Sequence, residues 1–164
     1  MKQLQLLIDQ LVDRIANGLL YILIFLIILV FSTVFFRYVF NISYVVLQEL
    51  IMYLHALIFM FGISYALKEK SHVKIDIIYC VMNRKNQRVI SIIGIVLFII
   101  PTSLFITYIS IDMVSQSWLM LEGSSEAGGL NLVYILKSLI PLTGVLILLQ
   151  AISELTKYLE DNHS

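Results

Sequence analysis

Few side chains in this sequence have the type and the placement to do chemistry, and most of them stand inside or beside long apolar runs. Lys137 interrupts one run, His55 lies within another, and Glu49 and Asp112 each mark the edge of a run. A carboxylate at such a position could take up and release protons, and a histidine could bind haem or a metal. A haem site between helices needs facing histidine pairs, however, and the other two histidines lie outside the apolar runs.

The sequence contains no catalytic constellation. Its one cysteine, Cys80, excludes a disulfide framework and a zinc cluster made by this chain alone. No serine has a histidine and an acid in plausible reach, and the stretch Gly123 to Gly129 lacks the strand and lysine of a phosphate-binding loop. That stretch indicates a flexible connection. The formal net charge is zero, so no nucleic-acid partner is implied. We therefore expect no enzyme activity, no cofactor and no metal site.

The elements that must position these residues are membrane-spanning helices. Of the 164 residues, 60% are hydrophobic and 13% are charged, against about 45–50% and about 25% in soluble domains. Crossing a hydrocarbon layer of about 30 Å takes about 20 helical residues. Runs of that length predict four spans at about 18–36, 48–67, 89–111 and 130–153. We therefore predict an all-α integral membrane protein, a four-transmembrane-helix bundle forming a single membrane domain over residues 1–164.

The basic residues predict the orientation of the bundle. Nine of the eleven lie on one side, namely Lys2, Arg14, Lys68, Lys70, Lys74, Arg84, Lys85, Arg88 and Lys157. By the positive-inside rule this side is cytoplasmic, which places both termini in the cytoplasm. The opposite loop, 112–129, has three acids and no base, as expected of an outer loop.

Two segments outside the spans have an amphipathic pattern. In residues 1–17 and at the start of the first span, apolar residues recur at three and four positions, namely Leu4, Leu7, Leu11, Ile15 and Leu19. This pattern is typical of a helix lying on the membrane surface, or of a helical extension of the first span. The basic loop 68–88 predicts a short interfacial helix beginning near Asp76, or an extended piece. Its bases fix the topology or attract anionic membrane lipid.

The charged residues within or at the edges of the spans are expected to lie at a similar depth in the membrane. Because the spans alternate in direction, Arg37, Glu49, Asp112 and Lys137 all fall in the outer half of the bundle. An unpaired ammonium inside a span costs several kcal/mol, about 2.5–3.5 on insertion scales. Glu49 or Asp112 could neutralise Lys137, so we predict a structural ion pair or a contact with a partner subunit. A place on a substrate or ion path is the alternative. Pro101, near the middle of the third span, and its counterpart in the fourth predict kinks.

Several short motifs occur in a characteristic order along the chain. They are Phe36-Arg37-Tyr38-Val39-Phe40-Asn41, Gln48-Glu49-Leu50, Tyr53, Phe61-Gly62-Ile63, Ala66-Leu67-Lys68, His72-Val73-Lys74-Ile75-Asp76, Gly128-Gly129-Leu130, Lys137, Ile140-Pro141 and Leu149-Gln150. In this order, and on four spans, they resemble the small membrane subunit of tripartite ATP-independent periplasmic (TRAP) transporters. One departure is Leu47, where many relatives of that family carry tryptophan.

The resemblance implies a division of labour in a bacterial inner membrane. In that family a periplasmic binding protein captures an organic anion and binds transiently. A large membrane subunit, in a stable heterodimer with the small one, moves the anion by a sodium-coupled elevator movement. The small subunit is the static scaffold. Under this hypothesis the following residues are structural or subunit-interface candidates rather than substrate ligands: Arg37, Asn41, Glu49, His72, Asp76, Asp112 and Lys137.

Two other classes of protein compete with this interpretation. A self-sufficient small transporter could use Glu49 for proton coupling in a homo-oligomer, although Glu49 lies at a helix mouth beside Tyr44 and Gln48 rather than in mid-membrane. A membrane redox or enzyme subunit is disfavoured by the small numbers of histidine and cysteine residues.

Overall fold

A computed structural model describes residues 2–69 and 83–160, and this part of the chain is helical throughout its regular structure. The helices are α1 (Lys2–Phe40), α2 (Val45–Lys68), α3 (Arg84–Gly94), α4 (Ile100–Leu119) and α5 (Val133–Glu160). A π-helical segment, Ile95–Ile99, joins α3 to α4 in one continuous third span. Among the described residues, four stretches are long and apolar enough to cross a membrane, the number that the sequence predicts. His72, Asp76 and the interfacial helix expected from Asp76 lie outside the described residues.

The helices run beyond the apolar stretches that reveal them in the sequence. Residues 2–17 and the first span form one continuous helix, α1. Its buried stripe is Gln5, Ile8, Val12 and Leu19, whereas Leu7 and Leu11 remain exposed. Apart from Leu19, which belongs to both, this buried stripe consists of residues other than the leucines that the sequence pattern emphasises.

The last helix occupies the centre of the bundle. Helix α5 packs against α1, α2 and α4, and α1 also packs against α2. The seam between α4 and α5 is formed by small side chains, because Ser103, Ser110 and Ser117 recur every seven residues and all are buried. Opposite them, Gly144 of α5 lies so close to α4 that a Cβ atom there would be 3.0 Å from the Ser103 carbonyl oxygen. Small residues let helix backbones approach closely in membranes, where dispersion contacts replace the hydrophobic effect.

The third span accommodates a proline by a local change of helix type. Pro101 has no amide hydrogen, and its ring would clash with the carbonyl of Leu97 in a regular α-helix. The π-helical segment, Ile95–Ile99, contains that carbonyl and ends two residues before Pro101. Pro141, in contrast, lies inside the continuous α5.

A groove separates α2 from α4. Both helices pack on α5, but within the described residues they do not form a packed helix pair with each other. The cavity between them measures about 250 Å³. Ile63 and Leu67 line one wall, Phe98 and Thr102 line the other, and Ile147 of α5 forms the floor. We call this space the α2/α4 groove.

Candidate functional site

Two clusters of polar side chains lie at opposite ends of the bundle. The first, the loop cluster, consists of Glu49, Ser117, Glu122, Ser124 and Lys137. Glu49 lies near the start of α2, beside residues 120–132, which connect α4 to α5. One oxygen of its carboxylate accepts a hydrogen bond from the Ser124 hydroxyl, and the other accepts one from the Leu130 amide at 2.5 Å. Glu49 thus ties α2 to the segment that joins α4 to α5.

The same cluster contains the partner of Lys137. Its ammonium lies 2.5 Å from Oε2 of Glu122, and the Ser117 hydroxyl donates to the same oxygen at 2.7 Å. These hydrogen bonds, that of Lys137 first, hold the pKa of the Glu122 carboxyl below its ordinary value. The partners considered from the sequence, Glu49 and Asp112, are wrong, because the loop folds back and brings Glu122 to Lys137 instead. The predicted kind of contact, an ion pair, is present.

The loop has a definite conformation despite its glycine and serine content. Leu121 and Gly128 both have positive φ, 45° and 79°, and reverse the chain direction. Gly129 packs so tightly that a Cβ atom there would lie 2.7 Å from Oε1 of Glu49 and would overlap the Ser124 hydroxyl. Composition alone indicated a flexible connection, whereas these contacts tie the loop to α2.

The second cluster, the terminal cluster, joins α1 to α5. It consists of Asp9, Gln150, Ser153, Glu154 and Lys157. Lys157 lies 2.8 Å from Asp9 and 2.7 Å from Glu154, and the Ser153 hydroxyl donates to Asp9 at 2.9 Å. The amide of Gln150 donates to the same carboxylate at 3.3 Å. Gln150, Ser153 and Glu154 are almost fully buried, so this cluster is an interior part of the helix packing.

Two further contacts extend these ties to the other spans. Lys68, at the end of α2, pairs with Asp13 of α1. The guanidinium of Arg88 in α3 donates to the backbone carbonyl of Tyr158 in α5. All four spans are therefore connected to a neighbour by a charged side chain at this end.

The remaining candidates lie apart from the clusters. Arg37 is exposed in the last turn of α1, where a positive charge is favourable to the helix dipole. Asn41 directly follows the last residue of α1 and has a φ of 55°. The Ile42 amide donates a hydrogen bond to the Phe36 carbonyl, so Asn41 is the left-handed residue that ends α1. Asp112 is exposed on α4. Neither Arg37 nor Asp112 forms an ion pair with a described residue.

The contacts of these polar residues are those of groups that stabilise helix packing rather than groups that bind a metal or carry out a reaction. Within residues 2–69 and 83–160 no three histidine, cysteine or acidic side chains come together in a way that could hold a metal ion. Several hydroxyls inside the spans are bonded within their own helices: Ser103, Thr107 and Ser110 of α4, and Thr143 of α5, each donate to a carbonyl three or four residues earlier. These groups are satisfied locally, and they do not form a chain of polar contacts between the two clusters.

The order of the motifs and the four-span architecture agree with one family. Residues 26–160 match the sequence model for the DctQ component of the tripartite ATP-independent periplasmic transporters. The chain belongs to the DctQ family. Among the curated proteins, none matches this sequence. The matched range begins inside α1 and runs to the end of α5, so it contains both polar clusters except Asp9.

Membership of the DctQ family makes this chain the small membrane component of a transporter, a multi-pass protein that works with a large membrane subunit and a periplasmic binding protein. The family is a transporter component and is not known as an enzyme. Sequence reasoning overlooked most members of the terminal cluster. The available signal was the pair of acids Asp9 and Asp13, one helical turn apart in the amphipathic first part of α1 and at the same end as Lys68 and Lys157.

Proposed function

We propose that this chain is the static scaffold subunit of a TRAP-type secondary transporter in the bacterial inner membrane, with both termini cytoplasmic. In this role it supports the large sodium-coupled elevator subunit during uptake of an organic acid delivered by the binding protein. The observation behind the proposal is that ionisable side chains tie the spans together at both ends of the bundle. An elevator subunit needs a neighbour that does not move with it, and cross-tied helices resist sliding past one another.

The positions of the charges also argue against independent transport by this chain. Coupling a solute to protons needs a carboxylate that can exchange its proton during the cycle. Both oxygens of Glu49 already accept hydrogen bonds, from the Ser124 hydroxyl and the Leu130 amide. Lys137 is likewise engaged by Glu122. These groups support the packing of the loop, and the hydrogen bonds of the described spans form no continuous route between the two clusters.

The test is transport by reconstituted complexes. The large subunit and the binding protein are placed in proteoliposomes with a sodium gradient, with and without this chain, and uptake of radiolabelled organic acids is measured. We expect uptake to fall at least tenfold when the chain is omitted. Uptake at the full rate by the large subunit alone would refute the scaffold role. Proteoliposomes with this chain alone and a proton gradient test the homo-oligomeric alternative, and we expect no uptake in them.

A further inference from the structure

His55 is a polar residue in the middle of a span that neither cluster uses. It lies near the middle of α2, eleven residues into a helix of 24, and its side chain is exposed on the outside of the bundle. Its ring stacks on Phe59 with the centroids 5.8 Å apart, a contact that leaves the ring nitrogens without a polar partner. No described residue forms a hydrogen bond or ion pair with His55. An imidazole in this position would face hydrocarbon, which cannot satisfy its hydrogen-bonding groups.

His55 belongs to a continuous exposed stripe. Met52, His55, Phe59 and Ile63 follow one another at three and four residues on α2, and all four are exposed. Ile63 also lines the α2/α4 groove, so the stripe leads directly into it. On the other wall of the groove, Thr102 adds a second polar side chain that is exposed near the middle of its span. The stripe and the groove form one surface, which we call the α2 face.

The exposed surface of α1 is different in character. Between Leu23 and Phe31 it consists of apolar side chains, of which Phe31 is 71% exposed. Ser32 and Thr33, the next polar residues, donate to carbonyls of their own helix. Such a surface is suited to lipid tails. The α2 face differs by carrying an imidazole at mid-depth, and therefore suits a partner that can donate or accept a hydrogen bond there.

We propose that the α2 face is the docking surface for a transmembrane helix of the large subunit, which places a hydrogen-bonding group against His55. This inference rests on the proposed function, because it takes the large subunit as the occupant. A lipid acyl chain could fill the groove of about 250 Å³, but it has no polar group for the imidazole. The helix satisfies His55 and covers the apolar residues around it.

Photocrosslinking in the assembled transporter tests the proposal. The photoreactive residue benzoylphenylalanine replaces either Phe59 or Phe31, two phenylalanines of almost equal exposure, 70% and 71%. The expected result is a crosslink to the large subunit from position 59 that is at least tenfold stronger than the one from position 31. Equal crosslinking, stronger crosslinking from position 31, or labelling of lipid alone at position 59 would overturn the proposal.

A second pair of variants isolates the hydrogen bond. His55→Leu should reduce the amount of large subunit that copurifies at least fivefold, whereas His55→Gln, which can still donate and accept, should retain most of it. Unchanged copurification with His55→Leu would overturn the role of the imidazole. The wild-type complex distinguishes failure of the proposed function from failure of the docking surface. If the large subunit does not copurify with the wild type, the proposed function is wrong. If it copurifies but gives no crosslink from position 59, only the docking surface is wrong.

Discussion

The close approach of Gly144 of α5 to α4 gives the sharpest stability prediction. In Gly144→Ala the new methyl group would overlap Oγ1 of Thr107 and would lie 3.0 Å from the Ser103 carbonyl oxygen and 3.2 Å from the Thr107 backbone nitrogen. The Thr107 hydroxyl can move only by giving up its hydrogen bond to Ser103. The backbone atoms cannot yield without moving α4 away from α5.

The expected magnitude combines three effects. Alanine is favoured over glycine inside a helix by about 1 kcal/mol. Overpacking a filled site costs about 1–3 kcal/mol, and losing the Thr107 hydrogen bond costs about 1 kcal/mol. Gly144→Ala should therefore destabilise the bundle by about 1–3 kcal/mol. The matched control is Gly62→Ala in α2, where a methyl group meets nothing within 4 Å. That variant should be stabilised, by about 1 kcal/mol at most.

Equilibrium unfolding in mixed micelles, followed by helical circular dichroism, measures both variants on one scale. Adding Thr107→Ala to Gly144→Ala removes the overlapping hydroxyl and should recover part of the overpacking cost, on the order of 1 kcal/mol. The recovery is partial because the two backbone contacts remain. If Gly144→Ala proves as stable as the wild type, or if it and Gly62→Ala shift stability equally, the close approach of α4 and α5 is not as described.

Three further predictions concern the ends of the helices. Asn41→Val should cost about 1–2 kcal/mol because a β-branched residue resists the left-handed conformation, while Asn41→Gly should be nearly neutral in the same micelle assay; equal losses would contradict the cap. Glu49→Gln should destabilise the fold by roughly 1.5 kcal/mol, because two hydrogen bonds lose a charged acceptor. In this variant limited proteolysis should cleave the 120–132 connection faster. Unchanged cleavage would argue against the contact between Glu49 and this connection. Because its folded pKa is lowered, the Glu122 carboxylate stabilises the fold above the ordinary glutamate pKa of about 4.3, and this contribution is lost as pH falls through the folded value. The wild type should therefore lose more stability than Glu122→Gln between pH 6 and pH 3. Lys137→Met should reduce that difference, because the hydrogen bond from Ser117 remains. Parallel pH profiles of wild type and Glu122→Gln would contradict the prediction.

The number of spans could be predicted from the sequence because it depends on local composition. A helix that crosses hydrocarbon needs about 20 residues with few charges, and four such runs are present. The ends of the helices could not be predicted in the same way. The sequence pattern indicated that the residues before the first span are helical, but not that Asp9 and Asp13 of α1 find cationic partners on α5 and α2. Those partners are distant in sequence, and no local pattern reveals them.

The pairing of Lys137 illustrates a second limit. The sequence shows that Lys137 needs an anion at its own depth, and that requirement is met in the structure by an ion pair. Which acid supplies it depends on the path of the loop, which positive φ values at Leu121 and Gly128 determine. Glycine-rich composition allows such reversals without specifying where they occur. The physical need was therefore visible in the sequence, but the identity of Glu122 was not.

The placement of charge separates the residues that hold the bundle together from those available to a partner. Charged side chains of the described spans that form ion pairs lie at the helix ends, where they tie α1, α2 and α5 to a neighbour. Between the ends, α4 and α5 pack closely at Gly144. The serine side chains of α4 are small, and their hydroxyls bond to the backbone of their own helix. Neither set needs His55. Substitutions of the exposed residues His55 and Phe59 should therefore change association with the large subunit while leaving the unfolding free energy of this chain unchanged, and Gly144→Ala should do the reverse. Because the two properties are measured by independent assays, a variant that altered both would show that the scaffold and its docking surface are not separable.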